Sequence, residues 1–235
     1  MKQEPAPAIS SSAKRRDSPV TALRERRARE ACRYLASVDR KLRVLIDRIG
    51  PHRLIITRDP FVALIGSIIQ QQISMSAAAA IQKRVRGLCP RGRVTASGIR
   101  ALSPHRLRGA GLSRAKVQYI LNLAEHFATR RLTAPALRRM PDDEVIAATT
   151  AVKGIGRWTA EMLLLFCLER PDVWPVDDLG LRKAVRLFIG SDEMPGADTL
   201  QDLAEPWRPH RSYATWYLWR SLEGPLMPGI ALSAS

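Results

Sequence analysis

Cysteine and histidine are scarce in this sequence of 235 residues, which argues against a metal or iron–sulfur centre. The sequence has 3 cysteines (Cys32, Cys89 and Cys167) and 4 histidines, all widely spaced. No CxxC pair, zinc-ligand spacing or four-cysteine cluster pattern is present. We therefore expect no iron–sulfur cluster, no catalytic metal and a reducing compartment.

Long apolar runs and strand patterns are also missing. No run reaches the roughly 18 apolar residues that a membrane span needs, and the N-terminus has no signal-peptide core. Apolar residues recur with helical spacing instead, for example from Leu23 to Ile49. Asp59 and Pro60 form a typical helix start, with the acid as N-cap and proline at the first helical position. The sequence predicts an all-α protein that does not enter a membrane.

Acidic residues are outnumbered, since 38 Lys and Arg face 22 Asp and Glu, which gives a net charge of +16. Residues 1–30 contain 8 basic and 4 acidic residues, so the remainder carries +12. Such an excess favours a polyanionic partner such as nucleic acid, although a basic protein without that role is the alternative. Residues 1–22, rich in Pro, Ser and Ala, are predicted to form a disordered basic tail.

The most informative segment is VKGIGRWTAEMLLLFCLERPDVWPVDDLGLR, residues 152–182. Gly154 and Gly156 flank Ile155 and permit a tight turn between two helices, with Ile155 buried between them. The outward N–H groups of such a turn suit a phosphate oxygen. Asp177 and Asp178 then open a further helix. A plain helix corner and two helix caps are the alternative interpretation.

Five stretches, in this order, resemble motifs of the helix–hairpin–helix (HhH-GPD) DNA glycosylase superfamily. They are most similar to its AlkA-type DNA-3-methyladenine glycosylase II branch. The stretches are SIIQQQIS, GLSRAKVQYI, VKGIGRWTAEMLL, VDDLGLRKAV and WRPHRSYATWYLW, all within residues 55–222.

The resemblance implies an all-α, two-lobed helix–hairpin–helix DNA glycosylase fold with the active cleft between the lobes. One lobe would comprise residues 59–170 and end in the helix–hairpin–helix of about 142–169. The other would combine residues 23–58 with residues 171–235.

By this resemblance Asp178 is the catalytic aspartate. A helix N-terminus favours the charged form of a carboxylate. We therefore expect Asp178 to be ionised at neutral pH, to stabilise an oxocarbenium-like sugar and to guide water onto C1′. Asp177 is interpreted as a helix cap. Trp158 stands where lyase-competent relatives carry a nucleophilic lysine, so we expect hydrolysis without strand cleavage.

The resemblance also implies a base pocket. Aromatic faces attract a cationic ring, as an alkylated purine would be. The pocket residues implied are Trp158, Met162 and Trp219, of which Met162 replaces an aromatic residue of the branch. Ordinary core packing is the alternative for Trp219.

Contacts with DNA are implied at several further positions. Gln72 would enter the base stack as a wedge and Gln71 would contact the opposite base, with a polar helix cap as the alternative. Leu112 and Ser113 would form a second, weaker wedge. Phosphates would bind the backbone amides of Gly154, Gly156 and Thr159. A structural Na⁺ or K⁺ would bind the main-chain carbonyls of Thr150, Val152 and Ile155.

The function predicted is therefore a monofunctional glycosylase that flips alkylated purines (the 3-methyladenine and 7-methylguanine class) out of duplex DNA and begins base excision repair. One alternative is a glycosylase for deaminated or mismatched bases, and another is a non-catalytic DNA-binding module. We expect a monomer whose partner is damaged double-stranded DNA. The location would be the bacterial cytoplasm, at the nucleoid, or a eukaryotic nucleus.

Overall fold

The computed structural model of this protein describes residues 19–223, and within them the regular elements are all helices. They are α1 (Pro19–Val38), α2 (Arg40–Ile49), α3 (Pro60–Gln70), α4 (Met75–Leu88), α5 (Ala96–Arg100), α6 (Pro104–Gly109), α7 (Arg114–Ala128), α8 (Ala134–Arg139), α9 (Asp142–Thr150), α10 (Arg157–Phe166), α11 (Leu179–Ile189), α12 (Ala197–Ala204) and α13 (Arg211–Ser221). Short 3₁₀ turns occupy Pro90–Gly92 and Glu205–Trp207. No strand occurs within residues 19–223, so the all-α prediction is confirmed. None of these helices combines the length and apolar character that a membrane crossing requires.

The N-terminal helices differ from the prediction at two points. Helix α1 begins at Pro19, so the predicted disordered tail of residues 1–22 is wrong for residues 19–22, and residues 1–18 lie outside the described part. Asp39 divides the helical stretch predicted from Leu23 to Ile49, because its Oδ1 accepts hydrogen bonds from the N–H groups of Lys41 (2.8 Å) and Leu42 (2.9 Å). Its other oxygen accepts from Trp207 Nε1 at 3.1 Å.

The buried apolar side chains form two clusters. The larger extends from Phe61 to Val173 and takes side chains from helices α3–α10. The smaller joins Leu35, Leu42 and Leu45 to residues between Trp174 and Leu218. Trp219 packs against both clusters, so its side chain lies where the two meet.

The chain crosses from one cluster to the other after α10, and a polar clamp fixes this crossing. Arg211 is only 8% exposed and donates from Nε to Asp172 Oδ1 (2.7 Å) and from Nη2 to Oδ2 (2.9 Å). Ser212 Oγ donates to the Arg170 carbonyl at 2.6 Å and accepts from the Val173 N–H at 2.8 Å. The WRPHRSYA stretch therefore holds the segment that leads to Asp178.

Replacing Arg211 with methionine is expected to lower the free energy of unfolding by about 3 kcal/mol, because it leaves a mostly buried Asp172 without its bidentate partner. Arg208 is the matched control, since it also pairs with Asp172 but its side chain is 47% exposed. Arg208→Met should cost about 1 kcal/mol or less. Urea unfolding of both variants measures the difference, and equal losses would show that the clamp does not stabilise the crossing.

Candidate active site

Asp178 is the N-cap of α11, and three N–H groups hold its carboxylate. Oδ1 accepts from the Leu181 N–H at 2.6 Å and from Trp219 Nε1 at 2.8 Å. Oδ2 accepts from Trp158 Nε1 at 2.8 Å. All three partners are donors, as a carboxylate that only accepts hydrogen bonds requires. The side chain is half-buried and its orientation is fixed by groups from three different helices.

Trp158 and Trp219 thus contact Asp178 through their N–H groups, a role that the motifs did not indicate. One face of the Trp219 ring stacks on Phe166, with centroids 5.8 Å apart and planes 12° apart. Met162, the third predicted pocket residue, is 7% exposed and belongs to the larger apolar cluster.

Cavities of about 480 Å³ and 420 Å³ occur elsewhere on the described chain. Neither has Asp178 or a tryptophan among its lining residues. The base pocket beside Asp178 therefore stays a prediction.

Gly180 was not singled out from the sequence, yet it shapes the site. A Cβ at this position would lie 3.1 Å from Asp178 Oδ1 and 3.4 Å from Trp219 Nε1. The missing side chain leaves room for the indole to reach the carboxylate. A glycine in the first turn of a helix, where alanine is more favourable, was the available signal.

Glu161 is a second acid that sequence reasoning missed. It lies one helical turn after Trp158 and is 3% exposed. Its Oε1 accepts from Arg157 Nε at 3.0 Å, while Oε2 is buried without a partner in the described chain. Burial raises the pKa of Glu161; Arg157 opposes this effect, and the nearby Asp177 and Asp178 add to it. An acid inside the apolar helix α10 was the signal that could have identified it.

Trp219→Phe tests the positioning of Asp178, because it keeps an aromatic ring and removes the N–H. Hydrogen bonds to charged groups contribute about 1.5–3 kcal/mol, so the single-turnover rate of the Asp178-dependent reaction is expected to fall about 10- to 100-fold. Trp216→Phe on the same helix is the control, since the Trp216 ring packs against His52 and Tyr217 instead. Equal rates for the two variants would argue against this role of the indole.

In the turn between α9 and α10, the backbone lies close to a neighbouring side chain, in keeping with the tight turn that its glycines predict. Gly154 has φ +97°, and a Cβ there would lie 2.1 Å from Cγ of the Tyr119 ring. Ile155 is 4% exposed and packs into the larger apolar cluster. Gly156 is the N-cap of α10, which has no side-chain cap.

The N–H groups of Gly154 and Gly156 have no hydrogen-bond partner within residues 19–223. Thr159 lies in the first turn of α10 and the whole residue is only 2% exposed. Since a helix N-terminus and free N–H groups attract anions, this turn can bind a phosphate.

The carbonyls proposed for a monovalent cation lie at the C-terminal end of α9 and in the turn. The Val152 carbonyl accepts a hydrogen bond from the Ile155 N–H at 3.0 Å. Within residues 19–223, the Thr150 and Ile155 carbonyls accept no backbone hydrogen bond outside the regular helices. Free carbonyl oxygens are suitable ligands for Na⁺ or K⁺, so the Thr150 and Ile155 carbonyls fit such an ion, whereas the Val152 oxygen would have to bind it beside the Ile155 N–H. No group of three or more His, Cys, Asp or Glu side chains in the same range is arranged to hold a metal.

The two glutamines after α3 point to different partners. Gln71 Nε2 donates to the Gly154 carbonyl at 3.1 Å, and the Gln71 carbonyl accepts from Lys116 Nζ at 2.7 Å. Gln71 therefore ties the end of α3 to the glycine turn and does not extend into solvent. Gln72 is exposed and has φ +56°. Of the two, the structure leaves Gln72 available as a wedge.

The predicted second wedge finds no support in the side-chain positions. Leu112 is 4% exposed and belongs to the larger apolar cluster. The Ser113 hydroxyl caps α7 by accepting from the Lys116 N–H at 3.2 Å. Both residues therefore have a structural role here.

The sequence of this chain is similar to a known protein family and to named proteins. Residues 65–209 match the family model described as HhH-GPD superfamily base excision DNA repair protein. DNA-3-methyladenine glycosylase 1 of Schizosaccharomyces pombe is 32% identical over 193 residues, which are 80% of this chain and 85% of the yeast protein.

Solved structures agree with the family match. A 3-methyladenine DNA glycosylase of S. pombe in complex with abasic DNA has a TM-score of 0.77 at 31% identity, covering 83% of this chain and 98% of that one. A DNA-3-methyladenine glycosidase of Bacillus halodurans has a TM-score of 0.74 at 34% identity, with coverage of 88% and 90%.

Proposed function

Since the chain belongs to the HhH-GPD superfamily of base excision DNA repair proteins, we propose that it is a monofunctional DNA glycosylase for alkylated purines of the 3-methyladenine and 7-methylguanine class. The observation that carries this proposal is the Asp178 carboxylate, held by two indole N–H groups and one backbone N–H. The names of the relatives support the base class, and the abasic-DNA complex of the S. pombe protein supports DNA as the partner.

A single positioned carboxylate suits this substrate. The target base must leave the stack before the enzyme can reach its glycosidic bond. A purine alkylated at N3 or N7 is already cationic, so it can leave with the bonding electron pair without first taking up a proton. Asp178 then stabilises the positive charge that develops on the sugar. Water adds to C1′ as the C1′–N bond breaks and releases one proton, which the carboxylate or solvent accepts.

The groups that hold the Asp178 carboxylate support hydrolysis alone. The groups that donate to its carboxylate are two indoles and a backbone N–H, and none of these can form a Schiff base. Lys153 precedes the glycine turn and is exposed. The DNA strand should therefore stay intact after the base is released.

The glycine turn and the wedge hold the DNA around this site. The amides of Gly154, Gly156 and Thr159 bind phosphates of the damaged strand, and a structural Na⁺ or K⁺ on the carbonyls of Thr150, Val152 and Ile155 fixes the turn. Gln72 fills the gap that the flipped base leaves. The protein acts as a monomer on double-stranded DNA, at the bacterial nucleoid or in a eukaryotic nucleus.

Excision of uncharged bases, such as deaminated purines, is a second candidate that Glu161 favours. An uncharged base needs a proton as it leaves, and Glu161 is a buried acid whose pKa is raised by burial, against the opposing effect of Arg157, and by the nearby Asp177 and Asp178. Duplexes that each carry one defined base separate the two candidates. Release of 3-methyladenine or 7-methylguanine without release of hypoxanthine or mismatched bases supports the first, and the opposite pattern supports the second.

A further inference from the structure

Nearly all of the excess positive charge lies in one continuous part of the chain. Residues 60–140 contain 14 Lys and Arg but only one acidic residue, Glu125, so they carry +13 of the net +16. Arg100 already pairs with Glu125 at 2.8 Å. The catalytic proposal uses almost none of this charge, since Asp178, both tryptophans and the glycine turn lie outside residues 60–140.

Part of this charge converges on a cavity of about 420 Å³ between α4 and α6. The cavity is lined by Arg84, Leu88, His105, Arg106, Gly109 and Ala110, with no carboxylate among them. Guanidinium groups match the geometry of phosphate oxygens.

The Arg84 side chain is held at the cavity by the backbone around it. Its Nε donates to the Ala110 carbonyl at 2.7 Å. Gly111 has φ +100°, and a Cβ there would lie 2.7 Å from Arg84 Nη2, so the glycine leaves room for the guanidinium. The cavity therefore presents a charge that is already positioned.

Helix α7 places this cavity relative to the wedge. Near its middle, Tyr119 packs against Gly154 of the glycine turn. One turn earlier, Lys116 Nζ donates to the carbonyls of Ile69 and Gln71, next to Gln72. Before its first residue, the chain passes through Gly111, which contacts Arg84. From the middle of α7 towards its N-terminus, the contacts therefore run from the glycine turn, past Gln72, to the cavity.

We propose that the cavity between α4 and α6 binds backbone phosphates of the DNA strand opposite the damaged base, through Arg84, Arg106 and His105. The proposal rests on the proposed function, because it takes the glycine turn as the grip on the damaged strand and Gln72 as the wedge between the strands. A wedge separates the flipped nucleotide from its complement, so a basic surface beyond it faces the complementary strand. Binding there would hold both strands of the duplex at the lesion.

Arg106→Gln tests this proposal, with Arg131→Gln as the matched control. Both side chains are exposed and both variants lose one positive charge, but Arg131 lies beyond the far end of α7. Affinity for a duplex with an abasic site is measured over a range of salt concentrations. For Arg106→Gln, the slope of log K against log salt should become shallower by about 1, the value for one lost phosphate contact. For Arg131→Gln the slope should match the wild type.

Single-stranded DNA of the damaged strand is the second arm. It contains no opposite strand, so Arg106→Gln and the wild type should bind it equally. An unchanged slope on duplex DNA would overturn the phosphate contact, and an equal loss on single-stranded DNA would overturn the strand assignment. A failure of the proposed function would appear separately. The wild type would then bind duplex DNA with a steeper salt slope than Arg106→Gln but would release no alkylated base.

Discussion

Asp178→Asn is expected to lower base release by about 10³-fold or more while binding to duplex DNA persists. Removing a single electrostatic partner of a transition state costs about 10²–10³-fold, and here the full negative charge is lost. The new amide nitrogen would also face one of the three N–H donors around position 178, where two donors cannot pair. Single-turnover release of bases from methylated duplex DNA measures the rate, and an abasic duplex measures the binding.

Asp177→Asn is the control for this prediction, because it makes the same change in charge at the adjacent, exposed residue. It should leave the rate close to that of the wild type. Asparagine also caps helices well, so Asp178→Asn should still fold. A wild-type rate for Asp178→Asn would show that this carboxylate is only a helix cap, as in a non-catalytic DNA-binding module.

Gly154→Ala is expected to disrupt the turn and to lower the free energy of unfolding by about 2–6 kcal/mol. An alanine with φ +97° is strained, at about 1–3 kcal/mol. Its Cβ would also lie 2.1 Å from the Tyr119 ring, and overpacking of a core costs a further 1–3 kcal/mol or so. The displaced turn would lose its proposed phosphate contact, so DNA affinity should fall as well. Urea unfolding and binding to an abasic duplex measure the two effects.

Gly156→Ala separates stability from binding. This glycine has φ −92°, and an added Cβ meets no atom within 4 Å. Stability should therefore hardly change, while DNA affinity is expected to fall because a methyl group is added at the proposed phosphate contact. If Gly154→Ala unfolds at the same urea concentration as Gly156→Ala, the contact between position 154 and the Tyr119 ring does not determine the stability of the turn.

Local chemistry explains which parts of the fold were predictable. Asp59 and Pro60 begin α3 as expected, and the Asp59 carboxylate accepts from the Phe61 N–H at 2.9 Å. Caps of this kind depend on residues two or three positions apart, so the sequence displays them directly. The break at Asp39 was missed although its cap to Lys41 and Leu42 is equally local; only its contact with Trp207, 168 residues later, is hidden in the sequence.

At the site, too, contacts between residues far apart in the sequence were not predictable. Motif similarity indicated Asp178 and both tryptophans, but not that their N–H groups would meet its two oxygens across 20 and 41 residues of sequence. Gln71 and Gln72 are neighbours with the same side chain, and both were predicted to contact bases, Gln72 as the wedge and Gln71 at the opposite base. The left-handed backbone at Gln72 separates them, since Gln71 turns towards the glycine turn.

The proposed reaction is tested by incubating the protein with methylated duplex DNA, identifying the released bases by chromatography and running the strands on a denaturing gel. The wild type should release 3-methyladenine and 7-methylguanine and leave the strands uncut, and Asp178→Asn should release neither base. A wild-type protein that binds the duplex but frees neither base would contradict the proposed reaction, as would an Asp178→Asn variant that frees both as fast as the wild type.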